Sequence, residues 1–124
     1  MARILIVDDE DDIRDLIKEV LETEGHEVFS ALDGAQALKF LDEKTADLVI
    51  MDRNMPRMTG IEAIRRLRGD PRTAKLKILM CTTSSVPREV DEAFAAGADG
   101  YVLKPLNVVQ LTAQVAKALR PPAS

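Results

Sequence analysis

The chain has 124 residues, of which 46% are hydrophobic and 31% are charged, and its formal net charge is −4. This is the size and balance of one domain that can bury a core without disulfide or metal staples. The negative charge argues against a nucleic-acid-binding surface, no apolar run approaches the roughly 18 residues of a membrane span, and the short apolar stretch near the N-terminus runs straight into acids, unlike a signal peptide.

The first predicted elements are a buried strand and an amphipathic helix. Residues 4–7 form a continuous apolar run, which is typical of a strand covered on both faces. Apolar residues then recur with the spacing i, i+3, i+4, i+7 and i+8 of one helix face. They are Ile13, Leu16, Ile17, Val20 and Leu21. Gly25 is expected to end this helix, because glycine adopts the C-terminal backbone conformation without steric cost.

The same alternation continues to the end of the chain. Further strands are predicted at residues 27–30, 48–51, 77–81 and 100–103. Helices are predicted from apolar positions in four groups, which are Ala35, Leu38 and Leu41; Ile61, Ile64 and Leu67; Val86, Val90, Ala93 and Phe94; and Val108, Leu111, Val115 and Leu119. Five β-α units in succession predict an α/β fold with a parallel five-stranded sheet and helices on both faces.

One domain is expected over residues 1–119. Residues 120–124 (Arg-Pro-Pro-Ala-Ser) are interpreted as a Pro-rich tail, either a natural end or the start of a linker. The single cysteine, Cys81, has no internal disulfide partner. A chain of this kind fits a reducing cytoplasm.

Polar side chains follow four of the predicted strands. In an open parallel sheet, ligands bind outside the carboxyl ends of the strands. The first strand leads into the acidic run at residues 8–12, the third ends at Asp52, the fourth leads to Thr82 and the fifth to Lys104. We therefore expect carboxylates, a hydroxyl group and a lysine to converge on one edge of the sheet.

The predicted convergence of Asp8, Asp9 and Asp52 implies a bound cation or protonation. Two carboxylates about 4 Å apart repel by roughly 4 kcal/mol at an effective dielectric constant near 20. Oxygen ligands without nearby histidine or cysteine suit a hard ion, Mg²⁺ or Mn²⁺. Helix capping is the alternative role for acids at a helix start, and it is assigned to Asp11 and Asp12.

Asp52 is a candidate nucleophile. An aspartate at the end of a buried strand can attack phosphorus when a cation neutralises the incoming group, although a turn-capping role would explain Asp52 taken by itself. Thr82 could then hydrogen-bond a phosphoryl oxygen, and Lys104 could pair with it. The Lys104–Pro105 bond is a candidate cis peptide, because a tight turn there would aim the lysine inward.

Together these motifs resemble the receiver domain of two-component response regulators, close to the single-domain chemotaxis type. The resemblance covers residues 2–119. It is carried by ILIVDD at 4–9, MDxNMPxMxG at 51–60, LMCT at 79–82 and AGADGYVLKP at 96–105. It implies a doubly wound, flavodoxin-like fold with strand order 2-1-3-4-5, in a bacterial cytoplasmic protein.

The resemblance also implies a chemical role for each residue. Asp52 would accept a phosphoryl group from a sensor histidine kinase or a phosphotransfer protein. Asp9, Asp52 and the backbone carbonyl of Asn54 would ligate Mg²⁺ (or Mn²⁺) directly, and Asp8 would act through water. The chain would catalyse only its own phosphorylation and dephosphorylation, and would otherwise not be an enzyme.

The same resemblance implies a switch. Thr82 and Lys104 would contact the phosphoryl group, and Tyr101 would swing inward as Thr82 moves. This would change the face made by the fourth helix, fifth strand and fifth helix, which would bind a downstream target protein. The chain would be a monomer or an activation-dependent dimer, without direct contact to nucleic acid or membrane.

Four residues depart from the commonest pattern or vary within it. Thr83 replaces the small residue that usually follows the site threonine. Asn54 and Ser84 occupy positions that tend to set the rate of phosphate loss, and Arg53 beside the acceptor is a further variable. We therefore expect these positions to affect the lifetime of the phosphorylated state.

Three other functions are alternatives for a chain with this order of strands and helices or with these residues. A flavodoxin-like nucleotide or FMN binder needs a phosphate-cradling loop after the first strand, where this chain has an acidic run. A Mg²⁺-dependent phosphatase would be expected to carry its nucleophilic aspartate on the first strand, and this short chain leaves little room for a substrate cap. A phosphate sink that only drains a kinase would have the same sequence features as a messenger.

Overall fold

The computed structural model describes residues 2–120, in which five strands alternate with five helices. The elements in chain order are β1 (Arg3–Val7), α1 (Asp11–Thr23), β2 (Glu27–Ala31), α2 (Gly34–Glu43), β3 (Leu48–Asp52), α3 (Gly60–Arg68), β4 (Lys77–Thr82), α4 (Pro87–Ala96), β5 (Gly100–Leu103) and α5 (Val108–Leu119). Each predicted strand and helix is present, within a few residues of its predicted position. Apart from Arg120, the predicted tail lies outside the described residues.

The five strands form one parallel sheet in the order β2-β1-β3-β4-β5, which confirms the predicted fold class and strand order. The central strand β3 is buried along its whole length. In its register with β4, Asp52 lies opposite Cys81, and Thr82 is the next residue along β4. The ends of β1, β3, β4 and β5 therefore deliver the predicted polar residues to one edge.

The core has two layers, because alternate residues of each strand point to opposite sheet faces. One layer packs the strands against α2, α3 and α4, and contains Leu5, Val49 and Ile64. The other packs them against α1 and α5, and contains Ile6, Ile50 and Leu111. Apolar cover on both faces explains why the strands read as continuous apolar runs.

The fourth helix differs in detail from its predicted apolar face. It begins at Pro87, a favourable first helical residue, so that Val86 precedes the helix. Val86 is 50% exposed and Phe94 is 46% exposed, whereas Ala93 is fully buried. Only part of the predicted apolar face thus packs on the sheet, and the rest faces solvent. Within residues 2–120, none of the helices combines the length and apolar character that crossing a membrane requires.

Candidate functional site

Asp52 lies at the carboxyl end of β3 with only 5% of its surface exposed. The chain beyond it is fixed by two backbone hydrogen bonds, from Arg53 N to the Cys81 carbonyl (3.2 Å) and from Gly60 N to the Arg53 carbonyl (2.8 Å). A Cβ atom on Gly60 would lie 3.0 Å from the Arg53 Cα and still closer to the Asp52 carbonyl oxygen. The start of α3 therefore presses directly on the main chain that carries Asp52.

The acidic run after β1 divides into buried and exposed members. Asp8 is 2% exposed, its backbone N–H donates to the Ala31 carbonyl (3.2 Å), and its carboxylate accepts from the backbone N–H of Glu10 (2.9 Å). Asp9 and Glu10 are exposed. Carboxylate oxygens of Asp8, Asp9 and Glu10 all lie within 4.8 Å of one another. Glu10 was not among the predicted ligands, although its position in the acidic run was a signal for it.

Lys104 lies between the acidic residues that follow β1 and Asp52. Its Nζ atom lies 2.9 Å from Asp8 Oδ2, 3.5 Å from Asp52 Oδ1 and 3.6 Å from Glu10 Oε1, and its side chain is only 8% exposed. The backbone N–H of Lys104 donates to the Thr82 carbonyl (2.8 Å), and the Lys104–Pro105 peptide is cis, as predicted. Lys104 thus lies between two of the predicted carboxylates, Asp8 and Asp52, and the exposed Asp9 lies near Asp8.

Burial and charge shift the acid–base behaviour of this cluster. Burial, helped by the negative charge of Asp8, raises the pKa of Asp52 to about 6, although Lys104 opposes the shift. Burial by itself would lower the pKa of Lys104, but the hydrogen bond to Asp8 and the charge of Asp52 outweigh it and raise that pKa. At neutral pH both side chains are thus charged, and the carboxylate of Asp52 is available as a nucleophile.

Cys81 lies opposite Asp52 on β4 and is the other potential nucleophile at this place. Burial raises the pKa of its thiol to about 12. The thiolate is the reactive form of cysteine, so this thiol is inert at neutral pH. Asp52 is therefore the better nucleophile of the two.

Asn54 is exposed, and its backbone N–H points to Asp52 Oδ1 at 3.4 Å. Thr82 is 1% exposed, and its hydroxyl oxygen accepts from the backbone N–H of Ser84 (3.2 Å). Thr83 is exposed between them. The side chain of Thr82 is thus linked to the loop that leads into α4.

Tyr101 is tied to that same loop. Its hydroxyl group donates to the Ser84 carbonyl (2.9 Å), and its ring stacks on Phe94 of α4 with 6.4 Å between the centroids. Burial raises the pKa of the Tyr101 hydroxyl, so it stays protonated and able to donate. Thr82, Ser84 and Tyr101 form a short chain of contacts from the end of β4 to β5.

Arg53 makes contacts with α4 that the sequence pattern does not predict. Its guanidinium donates to the backbone carbonyl of Glu89 (3.1 Å) and forms an ion pair with the carboxylate of Glu92, both on α4. The carboxylate of Glu89 in turn accepts from the Ser84 hydroxyl. These partners are 36 and 39 residues from Arg53 along the chain, and no sequence spacing marks them.

The family model of the response regulator receiver domain matches residues 4–116. The chain is 41% identical to the chemotaxis protein CheY of Pseudomonas aeruginosa over 116 residues, which are 93% of this chain and 94% of that protein. It is 40% identical to the phosphate regulon transcriptional regulatory protein PhoB of Rhizobium meliloti over 120 residues, which are 97% of this chain and 53% of that protein. It thus spans about half the length of several relatives that it matches.

A similar solved structure is that of the Vibrio cholerae chemotaxis protein CheY4, which superposes with a TM-score of 0.92 at 37% identity and covers 96% of this chain and 99% of that one. Because the family model covers most of the chain, the chain belongs to the receiver domains of two-component response regulators.

Proposed function

We propose that this receiver domain accepts a phosphoryl group on Asp52 in a Mg²⁺-dependent reaction and passes the signal to a downstream protein. The observation that carries the proposal is the placement of a buried, ionised Asp52 beside the ammonium group of Lys104 and the Asp8 carboxylate. The phosphodonor would be the phosphohistidine of a sensor histidine kinase or of a phosphotransfer protein.

The transfer forms a bond between a carboxylate oxygen of Asp52 and phosphorus, while the phosphorus–nitrogen bond of the phosphohistidine breaks. The electron pair of that bond returns to the imidazole. Because the pKa of Asp52 is about 6, the carboxylate is ionised at neutral pH and can attack. Catalysis then consists of positioning and charge stabilisation, as in phosphoryl transfer generally.

The donor set fits a hard divalent cation. Carboxylate oxygens of Asp8, Asp9 and Glu10 lie within 4.8 Å of one another, which suits such an ion. In the proposal Asp9, Asp52 and the backbone carbonyl of Asn54 would hold Mg²⁺ (or Mn²⁺), and Asp8 would act through water. When bound, such an ion neutralises charge on the phosphoryl oxygens. Lys104 balances the charge of Asp8 in this structure, so cation binding is expected to loosen the ion pair between them.

Thr82 and Lys104 would bind the phosphoryl oxygens once the group is attached. Since the Thr82 hydroxyl is bonded to Ser84, and Ser84 to Tyr101, movement of Thr82 toward the phosphoryl group would disturb both neighbours. Tyr101 would then turn inward. Such a local charge change acting on a two-state element is the usual form of a phosphorylation switch.

The output face consists of α4, β5 and α5. It carries the exposed apolar side chains of Phe94 and Val108, with exposed Val86 just before α4, and the Phe94 ring stacks on Tyr101. These give a protein partner apolar contact area, and a change at Tyr101 alters it. We assign to this face a downstream target protein or, on activation, a second copy of the chain. Residues 1–119 form the receiver unit of this proposal.

The test is labelling with acetyl phosphate and Mg²⁺, followed by intact-mass spectrometry. The wild-type protein is expected to gain one phosphoryl group, Asp52→Asn none, and the exposed-acid control Asp15→Asn one. Labelling of Asp52→Asn to the wild-type level would overturn the assignment. Steady turnover of a small phosphomonoester, instead of stoichiometric labelling, would favour a phosphatase. Nuclear magnetic resonance should also show amide shifts on the output face when beryllofluoride replaces the phosphoryl group.

A further inference from the structure

A polar network joins the end of β3 to α4, outside the residues assigned to phosphoryl chemistry. At its centre is Arg53, whose guanidinium reaches the Glu89 carbonyl and the Glu92 carboxylate. The Arg53 side chain is 12% exposed, whereas that of Glu92 is 50% exposed. A largely buried guanidinium needs such partners, because an unpaired buried charge is costly.

The same network reaches the loop between β4 and α4, which moves in the proposed switch. Glu89 accepts from the Ser84 hydroxyl through its side chain while its backbone carbonyl accepts from Arg53. Ser84 also accepts the Tyr101 hydroxyl on its carbonyl and donates its N–H to Thr82. The loop between β4 and α4, the side chain of Tyr101 and the first turns of α4 are therefore fastened together.

We propose that Arg53 is a positioning residue that holds α4 against the end of β3 in the unphosphorylated state and so opposes switching. This rests on the proposed function, in which Thr82 and Tyr101 move. Any displacement of Ser84 with Thr82 strains the Glu89 contact, and Arg53 anchors Glu89 and Glu92 to the strand that carries Asp52. A contact made in only one of two states shifts their equilibrium by its own free energy.

The test uses Arg53→Met, Glu92→Ala and the double variant, in the full chain. The matched control is the ion pair of Arg72 with Asp42, which is exposed on both sides and joins α2 to the loop between α3 and β4, outside the output face. Arg72 also pairs with Asp70, which the Asp42 variant leaves in place. Its variants are Arg72→Met and Asp42→Ala. One readout is amide hydrogen exchange of α4 without phosphodonor. The other is the beryllofluoride concentration that half-saturates the Tyr101 shift at saturating Mg²⁺.

Arg53→Met and Glu92→Ala should each speed exchange in α4 and lower the half-saturating concentration about threefold. The double variant should lower it no further than Arg53→Met alone, because Arg53→Met already removes the ion pair that Glu92→Ala breaks, together with the hydrogen bond to the Glu89 carbonyl. The control variants should change neither readout. Faster exchange with an unchanged or raised midpoint would show a contact that only supports the fold, and the proposal would be wrong.

The two proposals fail in different ways. If the wild-type protein gives no response to beryllofluoride, the phosphorylation function fails, and the exchange data still decide whether Arg53 holds α4. If the wild-type protein responds and the variants match it in both readouts, phosphorylation stands and the role of Arg53 is overturned.

Discussion

The Nζ atom of Lys104 lies 2.9 Å from Asp8 Oδ2, closer than its 3.5 Å distance to Asp52 Oδ1. In this structure the positive charge of Lys104 therefore lies closer to Asp8 than to the candidate nucleophile Asp52. A phosphoryl group on Asp52 would bring new negative charge close to the same ammonium group. Lys104 is thus placed to exchange one anionic partner for another without leaving the site.

Lys104→Met is expected to separate cation binding from phosphorylation. Without the ammonium group, Asp8 is free of its ion pair, so Mg²⁺ should bind several-fold more tightly in calorimetric titrations. Labelling by acetyl phosphate should slow by about 100-fold, because one preorganised positive charge at the phosphoryl group is lost. Lys18→Met, at an exposed position on α1, should match the wild-type protein in both measurements. Weaker Mg²⁺ binding to Lys104→Met would contradict the proposed competition.

Asp52→Asn is expected to stabilise the protein at neutral pH. Burial raises the pKa of Asp52 from 3.8 to about 6, so the folded protein binds the proton more tightly than the unfolded chain does. Above about pH 6 the buried charge destabilises the fold by at most about 3 kcal/mol. Below pH 3.8 the group is protonated in both states, and the difference disappears. Urea denaturation at pH 7.5 should show the variant to be more stable, and the gain should shrink as the pH falls through this window. A gain that is constant with pH would contradict the buried-charge explanation.

The sequence predicted that Asp8, Asp52, Thr82 and Lys104 lie at one edge of the sheet. This prediction needs only the order and direction of the strands, because the carboxyl ends of parallel strands lie at the same edge. Strand order could not predict that Lys104 lies closer to Asp8 than to Asp52, since the two distances differ by only tenths of an ångström. Strand order also could not predict the ion pair between Arg53 and Glu92. The pair depends on how α4 is rotated against β3, and apolar periodicity predicts the buried side of a helix better than the ion pairs at its border.

Asp33→Ala should destabilise the protein through the start of α2. Asp33 accepts from the backbone N–H of Gln36 (2.9 Å) and pairs with Arg57 (2.6 Å), and these contacts, the first being the larger, lower its pKa. Loss of such a helix cap costs about 1–2 kcal/mol. Because the folded-state pKa is depressed, the stabilisation is present above pH 3.8 and is lost as the pH falls further. Arg57→Gln should reduce the free energy of unfolding by much less than Asp33→Ala does, because the Arg57 side chain is 79% exposed and its ion pair is screened by water. Equal losses for the two variants in urea denaturation would show that the ion pair, not the cap, is the main contribution.

Gly60→Ala should damage the site through the backbone instead of through any charged group. The added methyl would crowd the Arg53 Cα at 3.0 Å and the Asp52 carbonyl oxygen still more closely, so either α3 or the end of β3 must move. Overpacking of this kind costs about 1–3 kcal/mol, and displacement of Asp52 should also slow labelling by acetyl phosphate. Gly69→Ala is the matched control, because Gly69 has φ −80° and an added methyl would lie 3.4 Å from the Arg65 carbonyl oxygen. It should be neutral or slightly stabilising and should label at the wild-type rate. If Gly60→Ala matched Gly69→Ala in both stability and labelling, the close approach of α3 to the end of β3 would have no role in placing Asp52.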